Sequence, residues 1–352
     1  MTDPFRPPAR RRTRPAPESL RRAGAAGLVL GVAADAVFGD PVRGHPVALF
    51  GRAAAALERG TYADSRARGM AYVAACAGAA AGLGALAHAA TRRSPLARAA
   101  VTAAATWAVL GGTSLGREGR GMARRLERGD LAGARDRLSY LCARDPAGLD
   151  EKDLARATVE SVAENTSDAV VAPLLWGAVG GVPGLLGYRA INTLDAMVGY
   201  RSPRHLRFGW AAARLDDLVN LVPARVTGLL TVACAPVAGG RPGEVWRVLR
   251  RDGARHPSPN AGRCEAAAAG ALGVRLGGAN RYGDRVEHRP ELGDGRPPRP
   301  ADIHRAVRLA AAVGLAATAL AAGLALLPRR RPRRIARRRR RAEGSKKWGR
   351  GV

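Results

Sequence analysis

Aromatic residues make up only 4% of this chain, cysteine occurs four times in 352 residues, and acids number 29 against 58 bases. Each scarcity argues against something. Cys76, Cys142, Cys234 and Cys264 are scattered with no C-x-x-C pair, which disfavours a zinc site, a redox dithiol and a disulfide framework and leaves each as a small buried hydrophobe. No G-x-x-x-x-G-K-[ST] is present, so there is no P-loop. The "GLGALA" at Gly82 breaks the dinucleotide fingerprint at its last glycine and sits inside an apolar run. No G-x-S-x-G, H-E-x-x-H or kinase motif set occurs. The apolar stretch after Arg22 reaches Asp35 without a small-x-small cleavage site, so no secretory leader is expected.

The basic excess, net +29, is uneven. Residues 1–22 carry seven arginines against Asp3 and Glu18, and residues 329–352 carry eleven arginines and two lysines against Glu343. The two ends therefore hold more than half of it. A nucleic-acid partner is not expected, because the C-terminal arginine run is low in complexity, has no interleaved aromatic residues and matches no reader fold. Positive charge flanking apolar segments instead marks the cytoplasmic side of a lipid bilayer.

Long uncharged runs support that reading. Gly69–Thr91, Ala99–Gly116, Ala169–Tyr188 and Leu309–Pro328 are long enough to cross a bilayer core of about 30 Å. Val226–Arg241 is shorter, and Ala23–Phe38 is interrupted by Asp35. "GAAAG" at Gly78–Gly82 would permit close helix contact. Ala169–Tyr188 differs from the rest, since Pro173, Pro183 and "GAVGGVPG" oppose an uninterrupted helix. It is expected to be a broken, re-entrant element. The expected fold class is all-α: a polytopic integral membrane helical protein with polar cytosolic helical loops. A single membrane domain over 23–328 would lie between disordered basic tails at 1–22 and 329–352.

Four polar blocks between the apolar runs carry the residues suited to chemistry. The first, Phe38–Gly51, holds Gly-Asp-Pro and Gly-His-Pro, where Asp40 and His45 are either turn residues or functional. The second, Leu141–Gly177, reads as a helix over Leu149–Asp168. Glu160, Glu164 and Asp168 fall there at i, i+4 and i+8, within about 80° on one face and with no base between them. Solvated helix faces usually alternate sign. A hard cation such as Mg²⁺, held by one or two carboxylates with substrate phosphate, would relieve this repulsion, so all three are candidate metal ligands. The third, Tyr188–Gly228, sets Asn192, Asp195, Asp216, Asp217 and Asn220 among Arg189, Arg201, Arg214 and Arg225, either a metal–phosphate site or a structural ion-pair network. In the fourth, His256, Ser258, Asn260 and Gly262 form a turn before an alanine-rich helix, whose start either binds an anion or is simply capped.

Taken together, "GDPVRGHPV", "ARDPAGLD", "VESVAENTSDAVVAPLLW", "YRAINTLDAMVGYR", "AARLDDLVNLVPAR" and "HPSPNAG" with "RLGGANRYG" resemble the CobD/CbiB family of cobalamin biosynthesis, the adenosylcobinamide-phosphate synthases. The resemblance runs over about 300 residues in order. Pro146 and Gly148 in "ARDPAG" depart from the expected pattern, which puts the local loop geometry in doubt. The resemblance implies a multi-pass enzyme of the cell membrane with its catalytic loops in the cytoplasm. It would be a ligase joining adenosylcobyric acid to (R)-1-aminopropan-2-ol or its O-phosphate with ATP, acting alone, as a homo-oligomer, or with other corrin-pathway enzymes. The resemblance gives motifs and not roles; from the carboxylate blocks themselves, Glu160, Glu164, Asp195, Asp216 and Asp217 are expected to be catalytic. Asn165, Arg189, Asn192, Arg214, Asn220, Arg225, His45, His256, Ser258 and Asn260 are expected to bind substrate or phosphate, with ATP and Mg²⁺ as cofactors and the corrinoid as substrate. A non-catalytic AmpE-like membrane protein on the same scaffold is the alternative, but a scaffold needs the spans and not the acids. A transporter is disfavoured because the acids sit at segment edges and no inverted repeat is visible.

Overall fold

The computed structural model describes residues 16–41, 44–142, 145–200, 202–282 and 285–328; the Arg-rich C-terminus and the first fifteen residues lie outside them. Proline at the first helical turn starts many of the elements, where its missing N–H costs nothing. The chain runs α1 Pro17–Phe38, α2 Pro46–Thr61, α3 Arg66–Ala90, α4 Pro95–Val109, α5 Gly112–Glu127, α6 Leu131–Leu138 and α7 Glu151–Thr166. A π-helical turn, Ser167–Val171, then leads into α8 Ala172–Gly180. The remaining helices are α9 Val182–Val198, α10 His205–Phe208, α11 Trp210–Cys234, α12 Pro242–Asp252, α13 Ala261–Leu272 and α14 Pro300–Leu326. Before α14 comes the only sheet among the described residues, the antiparallel pair β1 Leu276–Tyr282 and β2 Arg285–Leu292. Pro17–Arg22, predicted to belong to a disordered tail, form the first turns of α1.

This is an all-α polytopic membrane protein. Among the described residues, four stretches are long and apolar enough to cross a membrane: Arg66–Ala90, Pro95–Glu127, His205–Ala238 and Pro300–Leu326. Three contain or overlap the predicted runs. The second is divided into α4 and α5 at Leu110–Gly111. The predicted Ala169–Tyr188 run is not a span but two helices, α8 and α9, reversing at Gly181. The fourth crossing candidate is instead the stretch around α11, which extends the short predicted run Val226–Arg241 towards the N-terminus.

The reversal has a local cause. Gly181 sits at φ +65°, a region that side chains with a Cβ rarely adopt, and its N–H caps α8 on the Gly177 carbonyl while its carbonyl accepts the Leu185 N–H. The returning helix α9 packs along α3. The predicted contact glycines, Gly78 and Gly82, meet nothing within 4 Å; the close approach is made two residues on and across the helix, at Gly84, where a Cβ would stand 2.8 Å from the Pro183 Cα. At the other end of this pair, Phe208 is fully buried, with ring centroids 5.3 Å from Tyr62 and 5.1 Å from Tyr72.

This contrast is testable. Gly84→Leu, measured by thermal unfolding in detergent, is expected to cost about 2 kcal/mol or more through overpacking against α9. Gly82→Leu is expected to stay within about 0.5 kcal/mol of the parent.

Candidate active site

Two prolines inside helices set the position of the site. A proline has no N–H for the carbonyl four residues earlier. Pro173 therefore leaves the Ala169 carbonyl without its helical donor, the helix widens into the π-turn, and the Gly111 N–H from the α4–α5 junction donates to that carbonyl at 3.2 Å. Pro223 in α11 releases the Val219 carbonyl in the same way, and Trp176 Nε1 of α8 donates to it at 3.1 Å. The π-turn is thereby tied to α5 and α8 to α11, and Asp168 is brought to the faces of α9 and α11 that carry polar groups.

There the second and third blocks meet. The Asn192 amide nitrogen lies 3.3 Å from Asp216 Oδ1 and 3.5 Å from Asp168 Oδ2, donating towards both carboxylates. Arg189 Nη1 donates to Asn192 Oδ1 at 3.3 Å, and Asn220 Nδ2 donates to Asp216 Oδ2 at 3.0 Å. The Tyr188 hydroxyl, which the sequence reading did not single out, donates to Asn220 Oδ1 at 2.8 Å and lies 3.2 Å from the Asp168 carbonyl. Its signal was its place one residue before Arg189 in an otherwise aromatic-poor chain. Asp195 and Glu164 border the same cluster and contribute like charge to it.

The helices α7 to α9 are not among the four crossing stretches, and their acids respond strongly to their surroundings. Burial first, then the charges of Asp216, Glu164 and Asp195, hold the Asp168 carboxyl well above the usual carboxylate range. Burial, then Asp216, Asp217 and Glu164, push Asp195 up to about 7. The cluster has more negative charge than its one nearby guanidinium offsets.

Other predicted residues have different surroundings. Glu160 does not join the cluster: it is buried against the β-hairpin, accepts the Gly277 N–H at 2.7 Å and pairs with Arg156 at 3.7 Å. Gly277, at φ +86°, stands opposite Pro290 and Glu291, where β2 carries one extra residue and the register shifts, and its N–H reaches Glu160 instead of the ladder. Arg156 also donates to the carbonyls of Gly277 and Ala279, clamping "RLGGANRYG" onto α7. The hairpin thus takes Glu160 out of the expected trio and leaves Glu164 near Asp168, and among the described residues no three His, Cys, Asp or Glu side chains stand ready to enclose a metal ion. Asn165 donates back to the Ser161 carbonyl at 2.9 Å, and Arg225 to the Leu221 carbonyl at 2.7 Å. Arg214 is largely exposed, 3.8 Å from Asp217.

The fourth block is a self-capped turn. His256 Nδ1 accepts the Ser258 N–H, and Ser258 Oγ accepts the N–H groups of Asn260 and Ala261, so the start of α13 is capped from within. Asn260 Nδ2 donates to the Asp217 carbonyl at 2.8 Å and fixes the turn beside α11. In the first block, His45 Nδ1 accepts the Val47 N–H and its Nε2 lies 3.7 Å from Asp40. Asp40 in turn lies within electrostatic reach of Arg189.

The family model "CobD/Cbib protein" matches residues 28–310. The chain belongs to the CobD/CbiB family. Among relatives of this CobD/CbiB protein, the cobalamin biosynthesis protein CobD of Mycobacterium tuberculosis (strain H37Rv) is 59% identical over 88% of the chain and 97% of its own length. Proteins of the same name from Geobacter metallireducens (47%, covering 78% of the chain and 87% of the relative) and Chromobacterium violaceum (43%, 80% and 90%) are also similar. No solved structure matches.

Two outcomes follow for this CobD/CbiB chain. Glu160→Ala strands the Gly277 N–H, while Arg156 keeps its 2.9 Å pair with Asp153, and is expected to cost about 2 kcal/mol of stability, whereas Glu160→Gln keeps an acceptor and costs less; unfolding of the two variants checks this. A carboxyl raised in the folded state binds its proton more tightly there, so its contribution to stability is lost as pH rises from its ordinary 3.8 through about 7. Without divalent ions the melting temperature is therefore expected to fall between pH 5 and pH 7.5. Asp195→Asn is expected to flatten that slope.

Proposed function

We propose that this protein acts in cobalamin biosynthesis as an ATP-dependent ligase, joining a side-chain carboxyl of adenosylcobyric acid to (R)-1-aminopropan-2-ol or its O-phosphate to give adenosylcobinamide or its phosphate. Membership of the CobD/CbiB family, with relatives named as cobalamin biosynthesis proteins, supports the pathway. The observation that carries the chemistry is the meeting of Asp168, Asp216 and Asp195 around Asn192, with Arg189 beside them.

The residues fit the cation that ATP brings. Asp168 and Asp216 are hard oxygen donors that share one amide, and Mg²⁺ needs only one or two carboxylates when phosphates complete its shell. Bound there, Mg²⁺ would neutralise charge on the transferring phosphoryl group. Arg189, whose Nε–H has no acceptor, is placed to bind anionic oxygen. In the proposed sequence a corrinoid carboxylate oxygen attacks the γ-phosphorus and ADP leaves. The amine nitrogen then attacks the acyl carbon of the mixed anhydride and inorganic phosphate leaves. Asp195, pushed up to about 7, suits removal of the amine proton, because a general base works best with a pKa near the working pH.

ATP is cytosolic, so the cluster would face the cytoplasm from the cell membrane. The α8–α9 hairpin suits this reading, since Asp168 before it and Asn192 after it lie within 3.5 Å. An AmpE-like accessory role is less well supported, because it gives no reason to gather these acids.

Complementation of a strain blocked between cobyric acid and cobinamide tests the function, and failure of the intact protein to restore growth overturns it. In purified protein, Asp168→Asn and Asp216→Asn are each expected to lower ATP-dependent amide formation by about 100-fold or more. Glu160→Gln is expected to remain within a few-fold of the parent. Full activity of both Asn variants would remove the cluster from the mechanism.

A further inference from the structure

A second buried acid lies on the opposite side of α7. Asp35, in α1, is 5% exposed. Its Oδ2 accepts the Thr113 N–H at 3.0 Å and the Thr113 hydroxyl at 2.9 Å, while Oδ1 has no hydrogen-bond partner. The carboxyl lines a cavity of about 370 Å³ between α1, α5, α7 and α14, and Arg120 lines the same cavity. Nearly all the remaining lining is apolar or small, including Val162, Val170 and Val307. A buried carboxylate oxygen without a donor is costly, and the cost disappears when an N–H donor, above all a cationic one, reaches it.

We infer that this groove binds the headgroup of an ethanolamine phospholipid, with Asp35 Oδ1 accepting from the ammonium and Arg120 facing the phosphodiester. A lipid is favoured over a small water-soluble phosphoamine by the walls. Beside α1 and α7 they include Leu110–Gly116 and Val307–Leu315, inside two of the four stretches apolar enough to cross a membrane, and Leu315 at the cavity is 69% exposed. Acyl chains have an apolar flank to follow from there. Ethanolamine is favoured over choline because Oδ1 needs a hydrogen donor, and a quaternary ammonium has none.

The test is native mass spectrometry of the full chain taken from bilayers of equal phosphatidylethanolamine, phosphatidylcholine and phosphatidylglycerol. Retention of the ethanolamine lipid is expected to exceed that of the choline lipid by about tenfold, the scale of one charge-assisted hydrogen bond. Asp35→Asn is expected to abolish the preference. Arg120→Gln is expected to weaken both lipids alike. Ala311→Phe fills the groove from an exposed position and is expected to remove bound lipid with Asp35 intact, so the inference stays testable if Asp35→Asn fails to fold. Equal retention of the ethanolamine and choline lipids, an unchanged preference in folded Asp35→Asn, or displacement of the lipid by millimolar phosphoethanolamine each overturns it.

Discussion

The arrangement depends on two carbonyls that helical geometry leaves without donors. Pro173 and Pro223 each interrupt the hydrogen-bond ladder of a helix, and each released carbonyl is taken by another element: Ala169 by the Gly111 N–H, Val219 by Trp176 Nε1. A released carbonyl buried without a partner would cost more than the new bond gains, so the prolines specify which elements must touch. They dock the hairpin of α8 and α9 in one register. Once that register is set, Asp168, Asn192 and Asp216 have little choice of neighbours.

The carboxylates of this chain then separate into two kinds by what accompanies them. Glu160 has Arg156 and a backbone N–H; Asp252 has Arg251, Arg255 and the Gly293 N–H; Asp302 has Arg296, Arg305 and the Arg299 N–H. Each of these is a closed account in which cation and amide satisfy a buried anion, and each ties one segment to another. Asp168 and Asp216 are met by neutral amides from Asn192 and Asn220. Amides orient a carboxylate without cancelling its charge. With asparagines as their hydrogen-bond donors and Arg189 reaching Asp168 only through space, these acids keep charge that the ion-paired acids have lost.

Much of this was legible in the sequence, and the limits have physical reasons. Three of the crossing stretches follow from uncharged length, and the break at 169–188 follows from Pro173 and the glycines around Gly181. The spacing of Glu160, Glu164 and Asp168 suggested one continuous face because a regular helix was assumed; the regular helix ends at Thr166, before Asp168. Glu160 was drawn away by Gly277, more than a hundred residues on, through a bulge that no helical periodicity encodes. Tyr188 was not singled out, and Asp35 was read only as an interruption of an apolar run, for a related reason: a lone polar residue in an apolar run gives no pattern, and its role depends on partners from distant helices.

One helix consequently serves two environments. On one side of α7 and the π-turn, Glu164 and Asp168 lie with α9 and α11, where asparagines orient the carboxylates of Asp168 and Asp216. On the other, Val162, Thr166 and Val170 wall the cavity that Asp35 lines, where apolar surface dominates and a single carboxylate oxygen stands without a donor. Along this one stretch Glu160 closes a structural contact with the β-hairpin, Asp168 meets Asn192 of α9, and Val162 and Val170 keep an apolar wall towards α14.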